Sequence, residues 1–492
     1  MTSADGEPAP LGSRAASGVA WLTIQTWIAK IGGFVTVVVL ARLLTPDDFG
    51  LVAVAMTVVP LVYLLADLGF GTYLMQSREA TTEVASTAFW YAATSGVVLA
   101  VLLIACAPLL EMLFGVPGVA AVIAWMSPAV IFVSLAAVPI ALLRRRLRFR
   151  ALSIQAAIAA IVAQAVAIGL ALAGAGVWAL VVQVSVAQAL TLAGAWIASR
   201  WMPTRHFSWQ EFRLMLGFGS KVVGTSGIAT LRLWAENAII SNVLGAAALG
   251  QLSVAQRLVQ TGQEVAGAAI APVSTVAFSQ VRDDPDRLRR GYDRALSLSY
   301  VVIAPAMTAI LVTAPLLIPV LFGDQWGPSI PAAQALAVAA IFTMAATLDH
   351  GLFYGLGRPG TWLIYATVVD ALTVLTTIFT VTYGINGVTL GFVGVAIAAT
   401  IVRWVMVARV IDVPVWRVAR RVLAALVAVS VSGLAGWGTL LALSAFPPLA
   451  AIAAAGVVIL LVHLGMSRFL LPGGYKDLVD EVRVRVLRKD RK

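Results

Sequence analysis

Residues 119–150 read VAAVIAWMSPAVIFVSLAAVPIALLRRRLRFR. Positions 119–143 hold no charged residue, and five of the next seven are arginine. About 20 mostly apolar residues suffice for a helix to cross a bilayer. Cations that close such a segment stay in the cytoplasm, because translocating them against the membrane potential is unfavourable. The stretch therefore reads as a membrane-spanning helix whose C-terminal end faces the cytoplasm.

The same pattern recurs along the chain. Fourteen apolar segments long enough to span run from 18–41 to 449–470, which predicts an all-α integral membrane protein. Of the 34 Lys and Arg residues, 30 fall on alternate connections. The clusters are Arg144 to Arg150; Arg200, Arg205, Arg213 and Lys221; Arg282 to Arg294; Arg403, Arg409, Arg417, Arg420 and Arg421; and Arg468 to Lys492, with Arg14, Arg78 and Arg358 completing the set. An even number of spans puts both termini in the cytoplasm. A mean hydropathy of +0.94, with 60% hydrophobic and 12% charged residues, excludes an ordinary soluble protein. The net charge of +11 is explained by orientation signals beside anionic lipid, so nucleic acid is not an expected partner. The lone cysteine, Cys106, excludes internal disulfides and Cys-rich metal sites.

The expected organisation is a disordered cytoplasmic tail (1–16), an N-lobe of six helices (17–200), an interfacial linker (201–216), a C-lobe of six helices (217–408), helices thirteen and fourteen (409–470) and a basic cytoplasmic tail (471–492). Outward connections such as Thr45-Pro46-Asp47-Asp48 and Gly323 to Gly327 are too short to hold a folded domain. At an offset of 200 positions, Leu44, Gly50, Val54 and Ala55 meet Leu244, Gly250, Val254 and Ala255. Both sets open the second helix of a six-helix group, which makes the repeat parallel.

Residues 41–50 (ARLLTPDDFG) and 65–71 (LADLGFG) resemble the opening signature of the polysaccharide transporter family, the Wzx-type oligosaccharide flippases of the multidrug/oligosaccharidyl-lipid/polysaccharide superfamily. Leu321 to Trp326 and Gly355 to Pro359 agree with that resemblance, which extends over roughly 15–410. It implies two six-helix lobes in a V that alternate between inward-open and outward-open states. It also implies a polyprenyl-diphosphate-linked glycan as cargo, moved to the outer leaflet of a bacterial inner membrane, with a polysaccharide polymerase or ligase as a possible downstream partner. In the related lipid II flippases, helices thirteen and fourteen form a groove for the lipid tail, a role that would fall on 419–470.

Charges inside a membrane are costly and usually face a cavity or a partner. Lys30, Arg232 and Arg257 lie within apolar segments and suit a diphosphate or acidic sugars, arginine bidentately and lysine as a point charge. Gln256, Arg257, Gln260 and Glu264 follow helical spacing and make one polar stripe able to hydrogen-bond sugar hydroxyls. Arg232 and Glu236 stand four apart, an equally ready internal pair. Asp349 and Asp370 have no cation near them in sequence and, with Glu236, are the candidates for coupling to Na+ or H+. Asp67, in the LADLG motif, reads as a capping or lobe-packing residue. No cofactor or metal is expected, since His206, His350 and His463 are far apart and no HExxH or phosphate loop occurs.

A multidrug exporter of organic cations would favour an acidic cavity, and a lipid II flippase is the nearer rival. A membrane glycosyltransferase or polymerase would need catalytic groups on larger outward loops, so an enzyme is not expected.

Overall fold

The computed structural model describes residues 30–77, 81–267, 278–281 and 283–489. Among them there is helix and turn but no strand. Eleven helical stretches are long and apolar enough to cross a membrane. That number differs from fourteen for identifiable reasons. Most of the first expected segment, and the tail expected before it, lie outside the described residues. Two of the eleven stretches, 230–264 and 359–410, contain a break at Gly245 and at Val381–Gly384.

The chain divides into two compact units, Met1–Gly250 and Gln251–Lys492. In the first, α1 (30–43) ends before a capping box. The Asp48 backbone N–H donates to Thr45 Oγ1 at 3.3 Å, and the Thr45 N–H donates to the Asp48 carboxylate at 2.9 Å. Pro46 occupies the first turn, where its missing N–H costs nothing, and α2 (Pro46–Asp67) follows. The TPDD motif is thus a helix start. The LADLGFG motif is a helix stop and restart: Leu68 and Gly69 adopt left-handed backbone, and α3 (Phe70–Gln76) begins. Asp67 Oδ1 accepts from the Gly71 N–H at 3.3 Å, a cap on the new helix. Next come α4 (Thr82–Phe114), α5 (Val119–Met126), α6 (Pro128–Arg145), α7 (Phe149–Leu172) and α8 (Val177–Ser199).

The linker is hydrogen-bonded to the start of α4. Thr204 N–H donates to Ser86 Oγ (2.9 Å), Ser208 N–H to Thr87 Oγ1 (3.1 Å), and Trp90 Nε1 to Thr204 O (2.8 Å). These bonds pin 204–208 across the start of α4, and Trp201 is buried against Phe89 and Trp196. Helix α9 (Trp209–Gly267) begins inside the expected linker and breaks at Gly245, whose φ of 84° suits glycine.

The second unit continues with α10 (Pro285–Phe322), α11 (Ser329–Thr343), α12 (Ala346–Gly355), α13 (Pro359–Thr380), α14 (Gly384–Val410), α15 (Val415–Ala442) and α16 (Pro448–Leu470). The segment expected as one span at 328–356 is one candidate span, Ser329–Gly355, in which Met344 and Ala345 form a turn between α11 and α12 while keeping helical backbone angles. Within the expected basic tail, residues 472–489 form a further helix, α17. Gly474 packs it directly on the backbone of Ser297 and Leu298, where any side chain would collide. Helices α15 and α16 pack on each other and on α10.

Candidate functional site

In the first unit, Lys30 opens the described part of α1 and is half-buried. Arg232 and Glu236 form an ion pair of 2.7 Å on α9, with Glu236 only 4% exposed. The same arm of α9 carries a polar seam. Trp234 Nε1 donates to Thr57 O at 3.1 Å, Asn237 Nδ2 to Thr57 Oγ1 at 2.6 Å, and Ser241 Oγ to Phe114 O at 2.8 Å. A membrane interior offers no water to such groups, so they are satisfied between helices. Nothing in the sequence marked Thr57, Trp234 or Asn237 beyond an asparagine inside an apolar run.

In the second unit, the arm 246–267 of α9 begins with Gln251. Its amide donates to Gln325 O at 3.0 Å, and Ser329 Oγ donates to Gln251 O at 2.9 Å. This fastens the Gly323–Gly327 loop, in which Trp326 is fully buried. Further along, Val254, Ala255, Leu258 and Val259 are buried in the unit. The polar stripe faces the other way. Gln256 and Arg257 are half-buried, and Gln260 and Glu264 are exposed. The stripe is therefore no buried interhelical seam. Arg257 Nε is buried and has no hydrogen-bond partner among the described residues. Arg257 stands roughly 16 Å along the arm from Ala246.

Asp349 is not isolated. It is 2% exposed on α12 and accepts from Tyr292 Oη at 2.7 Å and from Arg403 Nη1 at 3.2 Å. Arg403, which the charge pattern assigns to a cytoplasmic connection, is itself 2% exposed in the last two turns of α14. Its Nη2 donates to Phe342 O (2.8 Å) and Thr400 Oγ1 (2.9 Å). The pair is separated by 54 positions, so no local spacing reveals it. Asp370 lies half-buried on α13, and His350 stacks on Tyr354 with ring centroids 4.1 Å apart. Among the described residues no three His, Cys, Asp or Glu side chains gather in a metal-binding group.

A family model described as "Polysaccharide biosynthesis protein" matches residues 39–331, more than half of the chain. The chain belongs to this family. Among its relatives, the succinoglycan biosynthesis transport protein ExoT of Rhizobium meliloti (strain 1021) is 29% identical over 306 residues. That match covers 62% of each chain, so it spans less than two thirds of the relative's length. The lipopolysaccharide biosynthesis protein WzxC of Escherichia coli (strain K12) is 26% identical over 402 residues, 79% of this chain and 80% of that one. The fold is that of a lipid II flippase, MurJ, in an inward closed conformation, with a TM-score of 0.75 at 16% identity, covering 93% of this chain and 99% of that one. A multidrug resistance MATE transporter of the MOP superfamily follows at 0.64 and 17% identity, covering 80% and 98%. The protein thus belongs to a polysaccharide biosynthesis family and shares the helical fold of MurJ and the MATE transporter, and the capping box and the Asp67 turn near its start have structural work to do.

Proposed function

We propose that this protein is a flippase that moves a polyprenyl-diphosphate-linked oligosaccharide from the cytoplasmic to the outer leaflet by alternating access, for cell-surface polysaccharide synthesis. The membrane would be the bacterial inner membrane, with both termini cytoplasmic and a polymerase or ligase receiving the delivered glycan.

The observation that carries this reading is Arg257. An arginine within an apolar span, on one helical stripe with Gln256 and Gln260, is tolerated where water or an anionic ligand reaches it. A guanidinium suits a diphosphate, and flanking amides suit sugar hydroxyls. Family membership and the names of ExoT and WzxC support a surface-glycan cargo. An exporter of organic cations would place acids there instead. A peptidoglycan-precursor flippase is the second reading, favoured by the TM-score with MurJ, which speaks to the fold alone. Coupling to Na+ or H+ belongs to the proposal, with Asp370 and Glu236 as the carboxylates to test first.

The test is the sidedness of lipid-linked oligosaccharides in a strain lacking the protein, read in membranes of known orientation. Complete units accumulating on the cytoplasmic leaflet, and relieved by the wild-type chain, are expected. Truncated units would point to an assembly enzyme, and an unchanged distribution would overturn the flippase reading.

A further inference from the structure

Two turn residues with helical backbone angles, Met344 and Ala345, join α11 to α12, and the Phe342 carbonyl just before them is bonded by side chains of α14. Phe342 O receives both Arg403 Nη2 at 2.8 Å and Thr400 Oγ1 at 3.0 Å. Two turns on, the Asp349 carboxylate receives Arg403 Nη1 at 3.2 Å and Tyr292 Oη at 2.7 Å. One guanidinium thus fills the space among a carbonyl, a hydroxyl and a carboxylate. Those are the oxygen types that hold a hard cation. Asp349, Arg403, Thr400 and Tyr292 are each 2% exposed or less. The cage holds one carboxylate among neutral groups, so it balances one positive charge. The Tyr300 hydroxyl nearby and Arg403 Nε are buried without partners among the described residues, so polar atoms remain for a rearranged ligand set.

We infer that Arg403 is a tethered cation occupying a monovalent-cation cage at the turn before α12. With the guanidinium in place, Asp349 does not take up a diffusible ion. With it removed, the cage takes Na+. The consequence for coupling rests on the flippase reading: transport would not be driven through Asp349. The cage itself does not rest on it.

The experiment uses the purified full-length protein, with Tm followed by tryptophan fluorescence in NaCl and in choline chloride at equal ionic strength. Wild type should melt alike in both. Arg403→Ala should lose about 5 °C or more in choline and regain part of it with Na+ in a saturable way. Arg403→Ala/Asp349→Asn should show no Na+ response. A single Arg403→Ala variant indifferent to Na+, or a wild type stabilised by Na+ through Asp349, would overturn the inference. If Arg403→Ala yields no folded protein in either salt, Arg403→Lys decides. A folded, Na+-indifferent variant supports a tethered charge, and a variant that fails to fold shows that only the hydrogen-bond geometry mattered. The sidedness assay reads glycan and this one reads melting, so failure of either inference is separable from failure of the other.

Discussion

Gly50 and Gly250 pack against each other across a helix crossing in which each partner stands 200 positions from its counterpart. A Cβ on Gly50 would collide with the carbonyl oxygen of Ala246, and one on Gly250 with that of Pro46, while lying 3.0 Å from the Gly50 nitrogen. Pro46 and Ala246 share the same offset, so the contact is reciprocal, the self-complementary pattern of two-fold-related surfaces. The internal repeat therefore packs on itself. Val54 and Ala55, which follow Gly50 on α2, are fully buried.

Substitution at this crossing should be costly in proportion to what it displaces. Gly50→Ala and Gly250→Ala each force backbone apart, and overpacking of that kind costs about 1–3 kcal/mol. Both variants should lower Tm measurably. Gly438→Ala, with nothing near its added methyl, should leave Tm unchanged or raise it. Equal melting of all three variants would contradict the close approach.

The Arg232–Glu236 pair makes a second prediction. Arg232→Ala leaves a carboxylate that is 4% exposed without its 2.7 Å partner, and breaking a buried pair costs about 3–5 kcal/mol. Arg232→Ala/Glu236→Ala should recover much of that loss. If Arg232 serves only Glu236, the double variant also recovers glycan export. If it binds cargo, Tm recovers and export does not.

How much of this was legible follows from what each signal measures. Hydropathy located the spans well, because a bilayer-facing helix must be apolar along its length. It missed the interruption at Leu68–Gly69, because an apolar run reads the same whether the backbone continues or turns. The Arg232–Glu236 pair was visible because its spacing is one helical turn. Asp349–Arg403 was not. Counting cations by connection cannot tell a loop arginine from one two turns inside a helix, so Arg403 was assigned to orientation rather than to a partner. The polar seam was silent because threonine, tryptophan and asparagine carry no charge to attract notice. Only the contacts of α9 with α2 and α4 give them meaning.

That seam is measurable by itself. Asn237 Nδ2 and Thr57 Oγ1 are 2.6 Å apart, and an intramolecular hydrogen bond contributes about 1 kcal/mol net. A double-mutant cycle of Asn237→Ala and Thr57→Val should return a coupling of about that size. The Trp234 bond to the Thr57 carbonyl survives Thr57→Val, so the cycle isolates the side-chain contact. A coupling indistinguishable from zero would mean that the seam is packing alone.

The cations assigned to cargo should govern export. Arg257→Ala removes a half-buried guanidinium whose Nε has no partner among the described residues, so stability should change little while glycan export is lost. Lys30→Ala should likewise stop export at an unchanged protein level. Lys30→Arg should retain export, because what a point charge supplies is its sign and place rather than its shape. Arg257→Lys should retain less than Lys30→Arg does, since an ammonium cannot grip a diphosphate with two parallel hydrogen bonds. Export assays paired with membrane-protein quantification read all four variants. Full export from both alanine variants would remove the cationic cargo site from the proposal.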